Sequence, residues 1–241
     1  MAYLSDKLPK ARVLITVKTY PTPSRSYKEL VCTAGLLDGE KWIRIYPVPF
    51  RFLDDDQQYP KYSWVELDLV RRTRDFRPES YSPRLGIDER ISVISTISTG
   101  KTRDWEGRKQ YVLKEVFTSM TELIQLAKGP SKKSLATLKP TRIVDFVIED
   151  DEREWKEKWV NQLRQLNMFD LTSPGGQPKI VSKLPYKFSY RFFSEGDNKP
   201  HKMMIEDWEI GALYWNCLSQ AGGNEQAAVE SVRQKYLDEF G

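Results

Sequence analysis

Apolar and polar positions alternate with a period of two through most of the first hundred residues, the signature of half-buried strands. Arg12–Lys18 (RVLITVK) is a β-branched run that stops where Pro21 and Pro23 forbid continuation. Glu29–Leu37 and Lys41–Val48 follow as two strands separated by Asp38-Gly39, a hairpin turn signal. Ser63–Val70 and Arg90–Ile97 read as a fourth and a fifth. The period then lengthens: Leu113, Val116, Phe117, Met120, Leu123, Ile124 and Ala127 predict a helix over Tyr111–Ala127. After a loop at Lys128–Pro140, Arg142–Glu149 reads as a strand and Glu152–Phe169 as a second helix, with Trp155, Trp159, Leu163 and Leu166 on one stripe. Tyr186–Phe193 and His201–Ile205 form a hairpin through the turn Glu195–Pro200. Helices at Trp208–Gln220 and Glu225–Phe240 close the chain, the second with Asn224 as N-cap. Strands that follow one another as hairpins predict an α+β fold: a single domain over residues 1–241 with a mostly antiparallel sheet and packed helices.

Charge divides the chain. Residues 1–140 hold 25 Lys/Arg against 17 Asp/Glu, whereas residues 141–241 hold 13 against 17. A basic, β-rich first part joined to a more acidic, helix-rich last part points to a polyanion partner for the first. No apolar run reaches the ~18 residues of a membrane-spanning helix. The N-terminal MAYLSDKLPK has charges and a proline where a signal peptide would be apolar, so a soluble, cytoplasmic protein without a membrane partner is expected.

The rare residues narrow the chemistry. With one histidine, His201, and two distant cysteines, Cys32 and Cys217, there is no close pair of zinc ligands and no histidine-pair mechanism. Thr99-Gly100-Lys101-Thr102 looks like the tail of a P-loop, but the glycine required five residues before Gly100 is Ser95. No metal, nucleotide or other cofactor is therefore expected. Chemistry here would rest on carboxylates, lysine, hydroxyls or aromatics.

The strand Trp42–Tyr46 places Ile43 and Ile45 on one face and Trp42, Arg44 and Tyr46 on the other. Aromatic rings interleaved with a guanidinium suit base stacking and phosphate neutralisation, although a tryptophan in the core and a snorkelling arginine fit the same pattern. Lys18 and Tyr20, which end the preceding long strand, and Arg51, beyond Pro47-Val48-Pro49, would line the same concave wall if the strands are neighbours. Arg71–Arg77 (RRTRDFR) sets four arginines around one aromatic, and Arg71, Arg72 and Arg74 are the nucleic-acid contacts it offers. Arg103, Arg108, Lys109, Lys128, Lys132, Lys133 and Lys139 extend the basic character; a solvated strand edge is the plain alternative.

Carboxylates cluster in His201–Asn216 (HKMMIEDWEIGALYWN). Ile205, Trp208, Ala212 and Trp215 share a helical face and read as core. Asp207 stands where the helix should start and so also reads as an N-cap, while Glu206 and Glu209 would project together. Asp207 and Glu209, with Glu29 as a third, are the candidate catalytic acids.

Val17–Pro21, Leu30–Gly35, Trp42–Arg51, Tyr190–Phe192 and Ile205–Glu209 together resemble, over nearly the whole chain, a family of uncharacterised bacterial proteins associated with mobile elements and phage defence. That family has no catalytic signature to transfer. The resemblance implies a link to defence enzymes that excise modified bases from phage DNA. Two functions are thus expected: a DNA glycosylase, hydrolysing N-glycosidic bonds of modified bases, or a non-catalytic nucleic-acid-binding module using the same Trp42/Arg44/Tyr46 surface. A glycosylase flips a nucleotide, clamps its base between aromatics and uses a carboxylate to activate water, which requires no cofactor.

Overall fold

A computed structural model of the chain describes residues 4–24, 28–85, 90–99, 105–161 and 180–240. Its strands are β1 (Lys7–Lys18), β2 (Thr22–Ser24), β3 (Lys28–Leu37), β4 (Lys41–Val48), β5 (Ser63–Arg71), β6 (Ser80–Pro83) and β7 (Ser92–Thr96) in the first part. β8 (Val116–Phe117), β9 (Thr137–Leu138), β10 (Arg142–Asp150), β11 (Tyr186–Phe193) and β12 (His201–Met204) follow. The helices are α1 (Glu106–Val112), α2 (Met120–Lys128), α3 (Trp208–Gln220) and α4 (Glu225–Phe240).

The mixed α+β architecture is as expected, but the main sheet is more than an antiparallel stack. β1 pairs with β3 along its second half and with β5 along its first, so the order β1-β3-β4-β6-β5 closes on itself as a five-stranded barrel. The β4–β6 contact is parallel: β6 follows β5 as its antiparallel partner across the long 72–79 loop, and so runs in the same direction as β4. β3 and β4 form the expected hairpin; Asp38 (φ 51°) and Gly39 (φ 74°) both take the left-handed conformation that a tight two-residue turn needs. Alternation fills the interior with Val13, Ile15, Val31, Ile43, Ile45, Val65, Leu67 and Leu69, all nearly inaccessible. So small a barrel is a packed core without a pore.

A second cluster lies in the last part, where the antiparallel sheet β10-β11-β12 packs Phe146 and Phe188 against Ile210 and Tyr214 of α3 and Ala228 and Val232 of α4. Asn224 caps α4, accepting from the Ala227 N–H at 3.1 Å.

One expected helix is broken in two. The stretch 111–127 is interrupted after Val112: Val116–Phe117 pairs in parallel with Thr137–Leu138, and Ser119 then starts a new helix by accepting the Glu122 N–H. A strand pairing across twenty residues overrides the local periodicity, leaving Leu113 and Val116 exposed. In the expected helix 152–169, residues 157–161 are helical; Leu163 and Leu166 lie outside the described residues, as do Gly100–Thr102 of the P-loop-like segment and Arg103. None of the described helices is long and apolar enough to cross a membrane.

The fully buried stripe of α3 is Ile210, Gly211 and Tyr214, while the expected face of Ile205, Trp208, Ala212 and Trp215 is half-buried, with Trp208 packed on the barrel core and Ile205 and Trp215 on the second cluster. The barrel decides this, since the Tyr20 ring lies directly against Gly211. A methyl group at Gly211 would collide with that ring, which is itself held by hydrogen bonds from its hydroxyl to Ser182 O (2.8 Å) and from Trp215 Nε1 (2.9 Å). Alanine normally favours a helix interior over glycine by about 1 kcal/mol. Here Gly211→Ala should instead destabilise the protein by about 1–3 kcal/mol through overpacking, read as a lower urea midpoint.

Candidate functional site

The end of β1 carries the chain from the barrel onto the last part. Thr19 forms an antiparallel bridge with Asp207, and the Tyr20 N–H donates to Glu206 O at 2.9 Å. Between the outer barrel face and the β11–β12 hairpin this leaves a cleft of about 410 Å³. Tyr20, Cys32, Arg44 and Tyr46 line its barrel wall; Trp155, Lys183, Tyr186, Lys187, Met204 and Glu206 line the other. Three of the expected binding residues, Tyr20, Arg44 and Tyr46, therefore do share one concave wall.

Geometry fixes these side chains. Arg44 donates to Cys32 Sγ and to Ser134 Oγ, each at 3.1 Å. The Arg72 guanidinium lies 4.9 Å from the Tyr46 ring centre and donates to Tyr46 O at 2.9 Å, bracing that tyrosine from behind. On the opposite wall Trp155 Nε1 donates to Val181 O at 2.6 Å. Lys183 (2.8 Å) and Lys187 (3.1 Å) converge on Asp151. Partial burial works against its charge, but hydrogen bonds from Lys183 and Lys187 outweigh this and hold Asp151 down at about 2.

The other expected binding residues lie elsewhere. Trp42 is half-buried on the outer face of β4 without lining the cleft. Lys18 points inward, 8% exposed, its Nζ donating to Tyr59 O at 3.0 Å and sitting 4.0 Å from the Phe50 ring and 4.8 Å from that of Trp208. Arg51 pairs with Glu29 at 2.6 Å. Arg71 is half-buried, bound to Asp6 and to the carbonyls of Pro78 and Leu4; the RRTRDFR segment is thus not a uniformly solvated edge, and of Arg71, Arg72 and Arg74 only Arg74 is exposed. Lys128 and Lys139 are exposed; Lys133 pairs with Glu115.

The candidate acids are all engaged. Asp207 caps α3 through the Glu209 N–H (2.8 Å) and pairs with Lys61 at 2.8 Å; Glu209 pairs with the same Lys61. Glu29 is 3% exposed, and burial pushes its carboxyl up against the opposing pull of Arg51. Its second oxygen, Oε1, is buried without a hydrogen-bond partner. Glu206 precedes the helix and, apart from Glu209, lines the cleft. Trp155, Lys183 and Lys187 had no local signal: the tryptophan reads as helix core, and the lysines come from a segment whose neighbours in space are far away in sequence. His201 pairs with Asp197 at 3.1 Å, and both cysteines are free.

Lys18 offers a direct test of the joint between barrel and helix. Burial lowers its pKa from 10.5 to about 8, only partly opposed by Glu209 and Asp207 and reinforced by Lys61. Below pH 8 both folded and unfolded chains carry the charge. Between about 8 and 10.5 the folded chain has lost its proton while the unfolded chain still binds one, so stability rises with pH across that window. Lys18→Met keeps the shape and removes the titration. The wild type should therefore gain stability relative to Lys18→Met between pH 8 and 10, measured by urea unfolding at each pH.

Residues 9–114 match a family model described as a domain of unknown function (DUF8758), and residues 116–241 match a second, also a domain of unknown function (DUF8757). No curated protein and no solved structure matches the chain. The seam falls between α1 and β8, where the expected long helix is broken. The second match covers more than half of the sequence, and the chain belongs to the family of the domain of unknown function DUF8757.

Proposed function

We propose that this protein binds nucleic acid, DNA in the first instance, and holds one unstacked nucleotide in the cleft between barrel and hairpin. The observation that carries this reading is the pairing of walls: Tyr20, Arg44 and Tyr46 on one side, Trp155, Lys183 and Lys187 on the other. Aromatic faces accept a base of any sequence, and cations interleaved with them take the flanking phosphates. A volume of about 410 Å³ is that of a small-molecule pocket, enough for one nucleotide and too small for a duplex. The exposed Arg74, Lys128 and Lys139 would add contacts to the backbone outside the cleft.

Fluorescence anisotropy with a labelled single strand tests this. Tyr46→Ala and Trp155→Ala should each weaken binding by roughly 10-fold or more, since a stacked base contributes about 1–3 kcal/mol. Arg74→Ala should lower the log–log salt slope by about one, the signature of one lost phosphate contact. If these variants all bind like the wild type, the cleft is not the binding site.

The second reading, excision of a modified base such as phage DNA carries, is favoured by one feature: Glu206, an exposed acidic residue, is among those that line the same cleft. Asp207 and Glu209, which share Lys61 and do not line the cleft, are less suited to activating water for a ligand held there. Incubation with modified DNA followed by alkali should then yield strand breaks. Glu206→Gln should reduce them by about 10²-fold, the usual loss on removing a general base, while Asp207→Asn, which still caps the helix, should retain most of them. Alkali-labile sites that persist undiminished in Glu206→Gln would exclude this acid.

A further inference from the structure

The 72–79 connection between β5 and β6 carries near its middle the most exposed large apolar side chain among the described residues: Phe76, 78% exposed. Its neighbours are not loose. The Asp75 carboxylate accepts from Arg77 Nε (2.8 Å), Arg77 Nη2 (2.7 Å) and Ser80 Oγ (2.7 Å), while Arg77 N also donates to it at 3.1 Å. Arg72 N donates to Ser80 O at 3.0 Å and closes the base of the loop. Arg71 pins the flank through Asp6 and Pro78 O. Four hydrogen bonds to the Asp75 carboxylate and a closed neck thus hold a phenyl ring out in solvent, although water contact is unfavourable for so large an apolar surface.

The chemistry of the loop indicates what covers the ring. Arg71, Arg72, Arg74 and Arg77 outnumber Asp75 and Glu79, and Arg74 is exposed beside Phe76. The Arg77 guanidinium lies 6.0 Å from the Phe76 ring centre. An apolar ring projecting from a cationic loop matches nucleic acid, whose phosphates meet the arginines and whose base step can be opened by a wedge. The loop is also coupled to the cleft, because Arg72 at its neck is the side chain that braces Tyr46.

We propose that Phe76 is an intercalating wedge that unstacks a base step of bound DNA, an inference that rests on the nucleic-acid reading above. The ring enters the stack while the exposed Arg74 beside it holds the backbone, and the base freed by this opening is the one the cleft receives. Unstacking requires a few kcal/mol, which a rigid loop supplies better than a mobile one.

The test uses the full chain and a duplex with 2-aminopurine at its centre, whose fluorescence rises on unstacking. Wild type should raise it; Phe76→Ala should abolish the rise and weaken binding by roughly 10-fold. Its salt slope should stay unchanged, since no phosphate contact is lost. Phe76→Leu, still apolar, should restore much of the signal. Because the ring is exposed, the unfolding midpoint of each variant should match the wild type. Binding and 2-aminopurine signal that survive in Phe76→Ala would overturn the wedge and leave the nucleic-acid reading standing. A wild type that binds no DNA at low salt would overturn both. Loss of self-association in Phe76→Ala, with DNA behaviour intact, would assign the ring to a protein contact instead.

Discussion

Tyr20 is the residue on which the shape of the outer surface depends. Its N–H reaches Glu206 O, its hydroxyl links Ser182 and Trp215, and its ring fills the space that Gly211 leaves open. Each contact joins the end of β1 to a segment more than 160 residues later. A half-buried tyrosine satisfies its hydroxyl and contributes a large apolar area at once, which makes it an effective tie between two separate hydrophobic clusters. Without it the barrel would present Arg44 and Tyr46 on a flat face rather than on one wall of a cleft.

Behind this tie lies a set of cations placed in unfavourable surroundings. Lys18 sits among Phe50, Tyr59 and Trp208, where ring faces and one carbonyl replace only part of its lost hydration. Lys61 is better served: Asp207 and Glu209 hold its pKa up despite burial, and in doing so they fix the first turn of α3. The carboxylates that look most reactive in the sequence are thus consumed in seating a helix. The Lys61–Asp207 pair has little solvent access, and such a pair resists losing one partner more than it adds stability, so it defines position rather than strength.

The cleft and the 72–79 loop share one support. Arg72 stacks on Tyr46 and donates to its carbonyl and to Ser82, so the loop cannot shift without disturbing the cleft wall. Any ligand that engages both would feel a single rigid body, which limits the entropy lost on binding.

Local pattern sufficed for much of the fold. The β3–β4 hairpin, β11 and the two terminal helices follow from period and punctuation, because alternation, Asp-Gly turns and capping act over a few residues. The outward face of Trp42, Arg44 and Tyr46 was legible for the same reason. What the sequence left open was which segments distant along the chain become neighbours. Closure of β1 on β5, the parallel β4–β6 contact and the β8–β9 pairing that breaks 111–127 are set by contacts distant in sequence. Lys18 illustrates the limit: strand periodicity assigns it a face, but only the closed barrel and the docked Trp208 make that face an interior. The second wall of the cleft, Trp155, Lys183 and Lys187, is likewise a product of packing. The sequence by itself determined most of the long strands with their faces, the terminal helices and the division of charge; the tertiary structure decided the remaining elements and which faces meet, because that choice depends on burying surface between segments that no local signal connects.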